Sequence, residues 1–169
     1  LKLIEISAAG EVPADNKSNV SIQAMPYIGI NVSDFEASLK FYANLGYTDV
    51  KMLPAQGSLV HGQAYGLDQA FTIHGADVSL AGGDRNTLRI IQWLDPFDPS
   101  SPYPAPISHI GIHRIALAVQ NLDAVVNALQ DQGVKFLSAI APCCSGTGQD
   151  TTGIVNAIDP DGIFVELVG

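Results

Sequence analysis

Cysteine is nearly absent from this chain. There are two, Cys143 and Cys144, and they are neighbours. Adjacent cysteines rarely reach good disulfide geometry, so no disulfide framework is expected and the balance tips towards a reducing, cytoplasmic setting. Charge is also scarce: 15% of residues are charged, where about a quarter is usual. Cations are the scarcest part of it, with 8 Lys and Arg against 17 Asp and Glu, for a net charge of -9. That balance excludes nucleic acid, whose binding rests on cations neutralising phosphates, and an anionic membrane surface. No apolar run approaches the roughly 18 residues a membrane-spanning helix needs. No secretory leader pattern is visible at the N-terminus. The first residue is Leu1, not Met, so a preceding segment is expected to have been removed.

The remaining composition is that of a folded chain. Its 169 residues make one ordinary domain or two small modules around a shared core, and 47% of them are hydrophobic. A chain of this size buries roughly 70% of its unfolded surface and needs no covalent staples.

The chain repeats itself. Ile28 to Val32 reads as a short strand, and Ser33 and Glu36 have capping-box spacing. Phe35, Leu39 and Tyr42 then recur on one helical face, and Gly46 ends the helix. Ile115 to Val119 reads as a second strand, Asn121 as an N-cap, and Leu122, Val125, Val126 and Leu129 as a second apolar helical face ending at Gly133. Val32 and Val119, Asp34 and Asn121, and Gly46 and Gly133 are each 87 residues apart. The helices are expected at Asp34 to Leu45 and Leu122 to Gln132.

Strand-like stretches follow each helix. In the first half they are Asp49 to Leu53, Ala70 to His74, Val78 to Ala81 and Thr87 to Trp93, one of them surplus or merged with a neighbour. In the second half they are Val134 to Ile140, Gly153 to Ile158 and Ile163 to Val168. Each half therefore reads β-α-β-β-β. Half of the ten prolines fall between Leu94 and Ile112, marking an extended connection. The expected organisation is an N-terminal strand and linker at 1–23, a first module at 24–96, a Pro-rich linker at 97–107 and a second module at 108–169.

The runs Val32-Ser33-Asp34, Ser38-Leu39-Lys40-Phe41-Tyr42, Leu45-Gly46-Tyr47, Asp159-Pro160-Asp161-Gly162 and Val165-Glu166-Leu167 carry a resemblance. The chain resembles the vicinal oxygen chelate superfamily, which includes glyoxalase I, extradiol dioxygenases, methylmalonyl-CoA epimerase, and fosfomycin- and bleomycin-resistance proteins. The resemblance covers Pro26 to Gly169. It implies an α+β fold of two βαβββ modules whose sheets curve into a partly closed barrel. It says little about reaction, because that fold hosts several chemistries.

The resemblance also implies a divalent metal held by a His on each first strand and a Glu on each last strand. Matched position by position, those sites hold Tyr27, Arg114, Arg89 and Glu166 here. Only Glu166 keeps the family residue, and two positions have become guanidiniums, which repel a divalent cation. The remaining histidines form no evident set: His113 faces away from Arg114 on a strand, His109 lies in the Pro-rich linker, and His61 and His74 lie on or near middle strands. No cofactor is therefore expected, with a divalent metal at a rebuilt site of His61 or His74 and Glu166 as the weaker alternative.

On that alignment Tyr27, Arg89, Arg114 and Glu166 all point into one cavity, with Gly29, Asn31, Ile91, Ala116, Ala118 and Phe164 on the same lining. The two Arg and one Glu give it a local charge of +1. Glu166 is expected to pair with one Arg, leaving the other for a ligand carboxylate or phosphate. The candidate ligand-binding residues are thus Tyr27, Asn31, Arg89, Arg114 and Glu166. A bare scaffold network that binds nothing is the plainer reading of the same residues. Gly82-Gly83 and Ser145-Gly146-Thr147-Gly148 match no phosphate fingerprint and read as turns. No nucleophile–His set stands out.

Two functional classes stay open. One is a metal-free protein that binds a small organic molecule, an anionic one being a candidate. The other is a glyoxalase- or dioxygenase-type enzyme with a metal at a non-standard site, or a metal-free one with Tyr27 or Glu166 as acid or base. A homodimer is expected from the resemblance. Leu1 to Ile6 reads as a strand similar to Phe164 to Val168. It is either an ordinary edge strand or the last strand of a module in a longer chain, and Ser7 to Ser21 reads as a linker.

Overall fold

The computed structural model describes residues 25–82, 86–98, 108, 114–143 and 153–169. The expectations for residues 1–23 and for most of 97–107 lie outside the described residues, as do His109 and His113.

Two helices repeat with their ends in register. α1 (Phe35–Asn44) and α3 (Leu122–Asp131) begin and end 87 residues apart. Each is set by its cap: Asp34 accepts from the Ala37 N–H and Asn121 from the Ala124 N–H. The cap of α1 is Asp34, not the Ser33 of the expected capping box, because the Ser33 N–H is drawn to Asp161 at 3.0 Å. An acidic residue, Glu36 or Asp123, complements the positive end of each helix. Each helix ends at a glycine with positive φ, Gly46 at 97° and Gly133 at 87°, a conformation that residues with a Cβ rarely adopt.

The first sheet runs in the order β1 (Ile28–Asn31), β5 (Leu88–Asp95), β4 (Phe71–Ser79), β2 (Asp49–Met52), with the short β3 (Gln56–Gly57) also paired to β4. β1 lies parallel to β5, and the other pairs are antiparallel. The stretches Ala70 to His74 and Val78 to Ala81 merge into the single nine-residue β4. A six-residue helix, α2 (Leu59–Ala64), stands between β3 and β4. His61 therefore sits on a helix, not near a middle strand as expected.

The second sheet has the same plan: β6 (Arg114–Ala118) parallel to β8 (Phe164–Val168), and β8 antiparallel to β7 (Ile154–Ile158). The strand expected at Val134 to Ile140 is reduced to two isolated bridges, Phe136 to Ala157 and Ala141 to Ile154. Between them the chain turns out of the ladder, where the Ser138 hydroxyl bonds the Ala139 carbonyl. The fold is α+β, with two βαβββ modules whose open sheets make a partly closed barrel.

The two cores interlock. Ile30, Ala76, Val78, Leu88 and Ile90 pack under Phe35, Tyr42 and Tyr47, and Val165 of the second module completes that cluster. Phe41 and Leu45 of α1 reach the other way, onto the cluster of Val126, Leu129, Val155 and Leu167. Each such buried side chain contributes about 1.5–3 kcal/mol over an exposed one. A polar clamp runs beside this packing. The Tyr42 hydroxyl donates to Asp159 Oδ2 at 2.8 Å, and Asp161 Oδ1 accepts from the Ser33 N–H. Asp159 Oδ1 also closes its own turn by accepting from the Asp161 and Ile163 N–H groups.

Cys143 is disulfide-bonded, which overturns the reduced cysteine pair expected from the sequence. Among the described residues, no helix is long and apolar enough to cross a membrane.

Burial raises Asp159 above its ordinary value and outweighs its three hydrogen bonds. A carboxyl that holds its proton more tightly in the folded chain adds stability that is complete below the ordinary carboxylate value and is lost as pH rises through the raised one. Asp159→Asn has no such proton and keeps an acceptor for the turn. Urea unfolding across the acid range should show wild-type stability falling relative to the variant as pH rises through that window. Parallel profiles would show that Asp159 is not held in this way.

Candidate functional site

The pleat of the first sheet sorts its side chains onto two faces. Ile30, Ala76, Val78, Leu88 and Ile90 face the helix and are buried. His74 is on that face too, its ring stacked on Phe35 with centroids 4.0 Å apart. Gly29, Asn31, Arg89, Ile91 and Trp93 alternate with these and line an open groove of about 760 Å³. Tyr27 and Tyr65 complete its walls, with Pro96, Phe97 and Asp98 beyond Trp93. The volume falls within the range of small-molecule sites, about 300–1,000 Å³.

Gly29 is the open part of the floor: a Cβ placed there meets nothing within 4 Å. One wall is aromatic. Trp93 meets Tyr65 edge-on at 5.8 Å and Phe71 at 5.2 Å between ring centroids. Trp93 Nε1 donates to Asn31 Oδ1 at 3.1 Å across the β1–β5 pair.

Arg89 stands opposite Gly29 in the β1–β5 register and opposite Asp77 in the β4–β5 register. Its Nε and Nη2 donate to the two carboxylate oxygens of Asp77 at 2.7 and 2.8 Å. Its guanidinium carbon lies 3.8 Å from the centre of the Tyr27 ring. The Asp77 hydrogen bonds raise its pKa further, against the lowering effect of burial. Arg89 is thus a paired, stacked cation.

Arg114 and Glu166 are not part of the groove lining. They stand on β6 and β8 of the second sheet, where Arg114 Nη1 donates to Glu166 Oε2 at 2.9 Å. The Arg114 side chain is half exposed, at 49%, while that of Glu166 is largely covered. Ala116, Ala118 and Phe164 belong to that sheet and are likewise outside the groove lining. The structure therefore brings together Tyr27, Asn31 and Arg89 of the five candidate residues and sets Arg114 and Glu166 apart. The expected pairing of Glu166 with an Arg is present. The free second Arg is not, because Asp77 holds it.

The two arrangements are equivalent by the repeat. Tyr27 and Arg114 are 87 residues apart, and Arg89 and Glu166 face equivalent first-strand positions, Gly29 and Ala116. In each module the residue at the start of the first strand touches the residue on the last strand. One contact is Tyr27 on Arg89 and the other is Arg114 on Glu166.

Trp93 and Tyr65, which line the groove, and Asp77, which pairs with Arg89 behind it, are the residues that sequence reasoning missed. Asp77 was within reach: positions 77 and 89 are equidistant from residue 83, so a symmetrical β4–β5 hairpin pairs them. Trp93 follows from Arg89 by strand alternation. Tyr65 follows α2, whose six residues give no periodic signal.

The residues at the four metal positions do not fit a divalent cation. Two are guanidiniums, each already paired to a carboxylate, and one is a tyrosine stacked on a guanidinium. His74 is half-buried against Phe35 on the opposite face, and His61 is exposed on α2. Among the described residues, no group of three or more His, Cys, Asp or Glu is placed to hold a metal ion.

A repeated βαβββ unit with an open groove on its first sheet defines a two-module barrel of the glyoxalase type. The profile of the Glyoxalase/Bleomycin resistance protein/Dioxygenase superfamily matches residues 24–167, and the chain belongs to that superfamily. Solved structures agree on the fold. A glyoxalase family protein from Bacillus cereus superposes with a TM-score of 0.71 at 16% identity, covering 89% of this chain and 96% of that one. One from Enterococcus faecalis gives 0.57 at 20% identity, covering 87% and 98%. A glyoxylase/bleomycin resistance protein/dioxygenase domain from Frankia sp. EAN1pec gives 0.55 at 18%, covering 88% and 98%. No curated protein matches the chain.

Protein purified without chelator should carry iron, zinc, nickel or manganese well below one equivalent by elemental analysis. A stoichiometric metal would show that the chain builds a site from other residues.

Proposed function

We propose that this chain binds a small organic molecule in the groove of its first sheet, at a site where the metal positions of its superfamily have been replaced. The ligand carries a carboxylate or another hydrogen-bond acceptor. The observation that carries this reading is the groove itself: about 760 Å³, a bare glycine floor, an aromatic wall, and Asn31 and Arg89 as donors on one side. Apolar walls with a few placed polar groups are the usual make-up of such sites. The binding residues are Tyr27, Asn31 and Arg89. Arg114 and Glu166 serve the second sheet as its counterpart pair.

A metal-dependent glyoxalase- or dioxygenase-type enzyme is the alternative, and no observation favours it over binding. Its ligand set is not assembled, since His61, His74 and Glu166 stand on a helix, on the helix-facing side of the first sheet and on the second sheet. We keep residues 24–96 and 108–169 as the two modules. A homodimer is also part of the proposal, supported by exposed Val50 and Met52 on the edge strand β2. A cytoplasmic location is proposed from the sequence, and the disulfide at Cys143 weighs against it, because cytosolic thiols are kept reduced.

Light scattering should give a mass above the 17.8 kDa of one chain, and a monomer at micromolar concentration would remove the dimer. The groove is tested with N-phenyl-1-naphthylamine, a neutral dye that brightens in apolar sites. One dye should bind per chain, and Gly29→Leu, whose Cβ meets nothing within 4 Å and whose side chain enters the groove, should weaken binding about tenfold or more. Equal binding by wild type and variant would place the dye, and the site, elsewhere.

A further inference from the structure

Within the reading of the groove as a binding site, we infer that it selects a neutral, planar aromatic molecule bearing a carbonyl-type acceptor over the matching carboxylate. Three features carry this.

The first is the orientation of Asn31. An amide's oxygen accepts and its nitrogen donates. Here the partner is an indole N–H, which can only donate. Trp93 Nε1 therefore fixes Oδ1 towards itself at 3.1 Å. Nδ2 is turned away from the indole, and among the described residues its two hydrogens have no partner. Asn31 thus turns its oxygen to the indole and leaves its two N–H donors for the groove.

The second is the state of Arg89. Asp77 takes Nε and Nη2 in a two-pronged pair, and Tyr27 covers a face of the guanidinium. Nη1 is left as its open edge. It can still give a charge-assisted hydrogen bond, but its charge is already balanced. A ligand carboxylate placed there would be desolvated without an unpaired cation to meet it, with the Asp77 carboxylate just behind and a net charge of -9 on the whole chain. A neutral carbonyl takes the same hydrogen bonds and gives up far less hydration.

The third is the wall. Trp93 and Tyr65 stand edge to face at 85° and both line the groove, with Phe71 buried behind them. Phe97, 63% exposed, extends the apolar rim. A flat ring system finds aromatic partners on that side and donors on the other.

The chain has a single tryptophan, so Trp93 gives the one indole N–H signal in a nitrogen–proton correlation spectrum and reports from inside the groove. Three probes of one shape separate the contributions: 2-naphthamide, 2-naphthoate and naphthalene. Titrations followed at the indole signal should place 2-naphthamide about tenfold tighter than either of the others, one well-made hydrogen bond's worth. Asn31→Asp keeps an acceptor for Trp93 and removes the donors, and Asn31→Ala removes both. Each should cancel the advantage of the amide over naphthalene, measured in the same variant. Naphthoate binding as tightly as the amide would overturn this inference and leave the groove as a binding site. So would an amide advantage that survives in both variants. If none of the three probes moves the indole signal, the groove reading itself falls and this inference falls with it.

Discussion

The Tyr42 hydroxyl bonded to Asp159 is the contact on which the mutual placement of the two modules depends. Asp159 and Asp161 are nearly fully buried, and a buried carboxylate costs several kcal/mol unless its lone pairs are met. They are met from both modules. Asp159 takes two backbone N–H groups of its own turn and the hydroxyl of α1, while Asp161 takes the Ser33 N–H at the exit of β1. Burial and the neighbouring carboxylates push the Tyr42 hydroxyl far above its ordinary range, so it stays a donor. Because Ser33 also lines the groove, the clamp fixes the end of β1 that carries Asn31. Gln92 secures the same corner, donating to the Ser33 carbonyl and accepting from the Phe35 N–H. The site is thus held by contacts on the far side of the strand that bears it.

Among the described residues, the repeat explains why the two sheets present different surfaces. Both modules place a contact between the first and last strands at equivalent positions, but the residues differ in size and exposure. In the first module Gly29 leaves the floor open and β5 supplies a tryptophan. In the second, Ala116 and Ala118 replace Gly29 and Asn31 at the 87-residue offset, and the half-exposed Arg114 reaches to the covered Glu166. Among the described residues, Asn31, Arg89, Trp93 and the open Gly29 floor come together on β1 and β5.

The helices were legible from the sequence because the apolar face and terminal glycine recur at one offset, although the cap of α1 proved to be Asp34 and not Ser33. The strands were legible to within a residue or two where alternation was unbroken. They were not where structure is short or bent. α2 is too brief for a periodic pattern, and the segment after Val134 looks like a strand in composition yet leaves the ladder between its two bridges. At the site, Tyr27, Asn31 and Arg89 share a groove because they share a sheet face, which alternation predicts. The absence of Arg114 and Glu166 from that groove depends on how two separate sheets are set against each other. Local pattern carries no information about that.

The cross-strand position of Asp77 decides what kind of site this is. Arg89 places a cation in the wall of the groove. Left unpaired and largely covered, it would need a counter-charge from a ligand or a heavy desolvation penalty would go uncompensated. Asp77, directly opposite on β4, supplies that counter-charge from within the sheet at all times. The second module reaches the same balance with the charges exchanged, a carboxylate on the last strand and a guanidinium on the first. Each module is therefore electrically complete without metal or ligand. With Arg89 already paired, the selectivity proposed for the groove lies in where the donors point, which the Trp93–Asn31 bond sets.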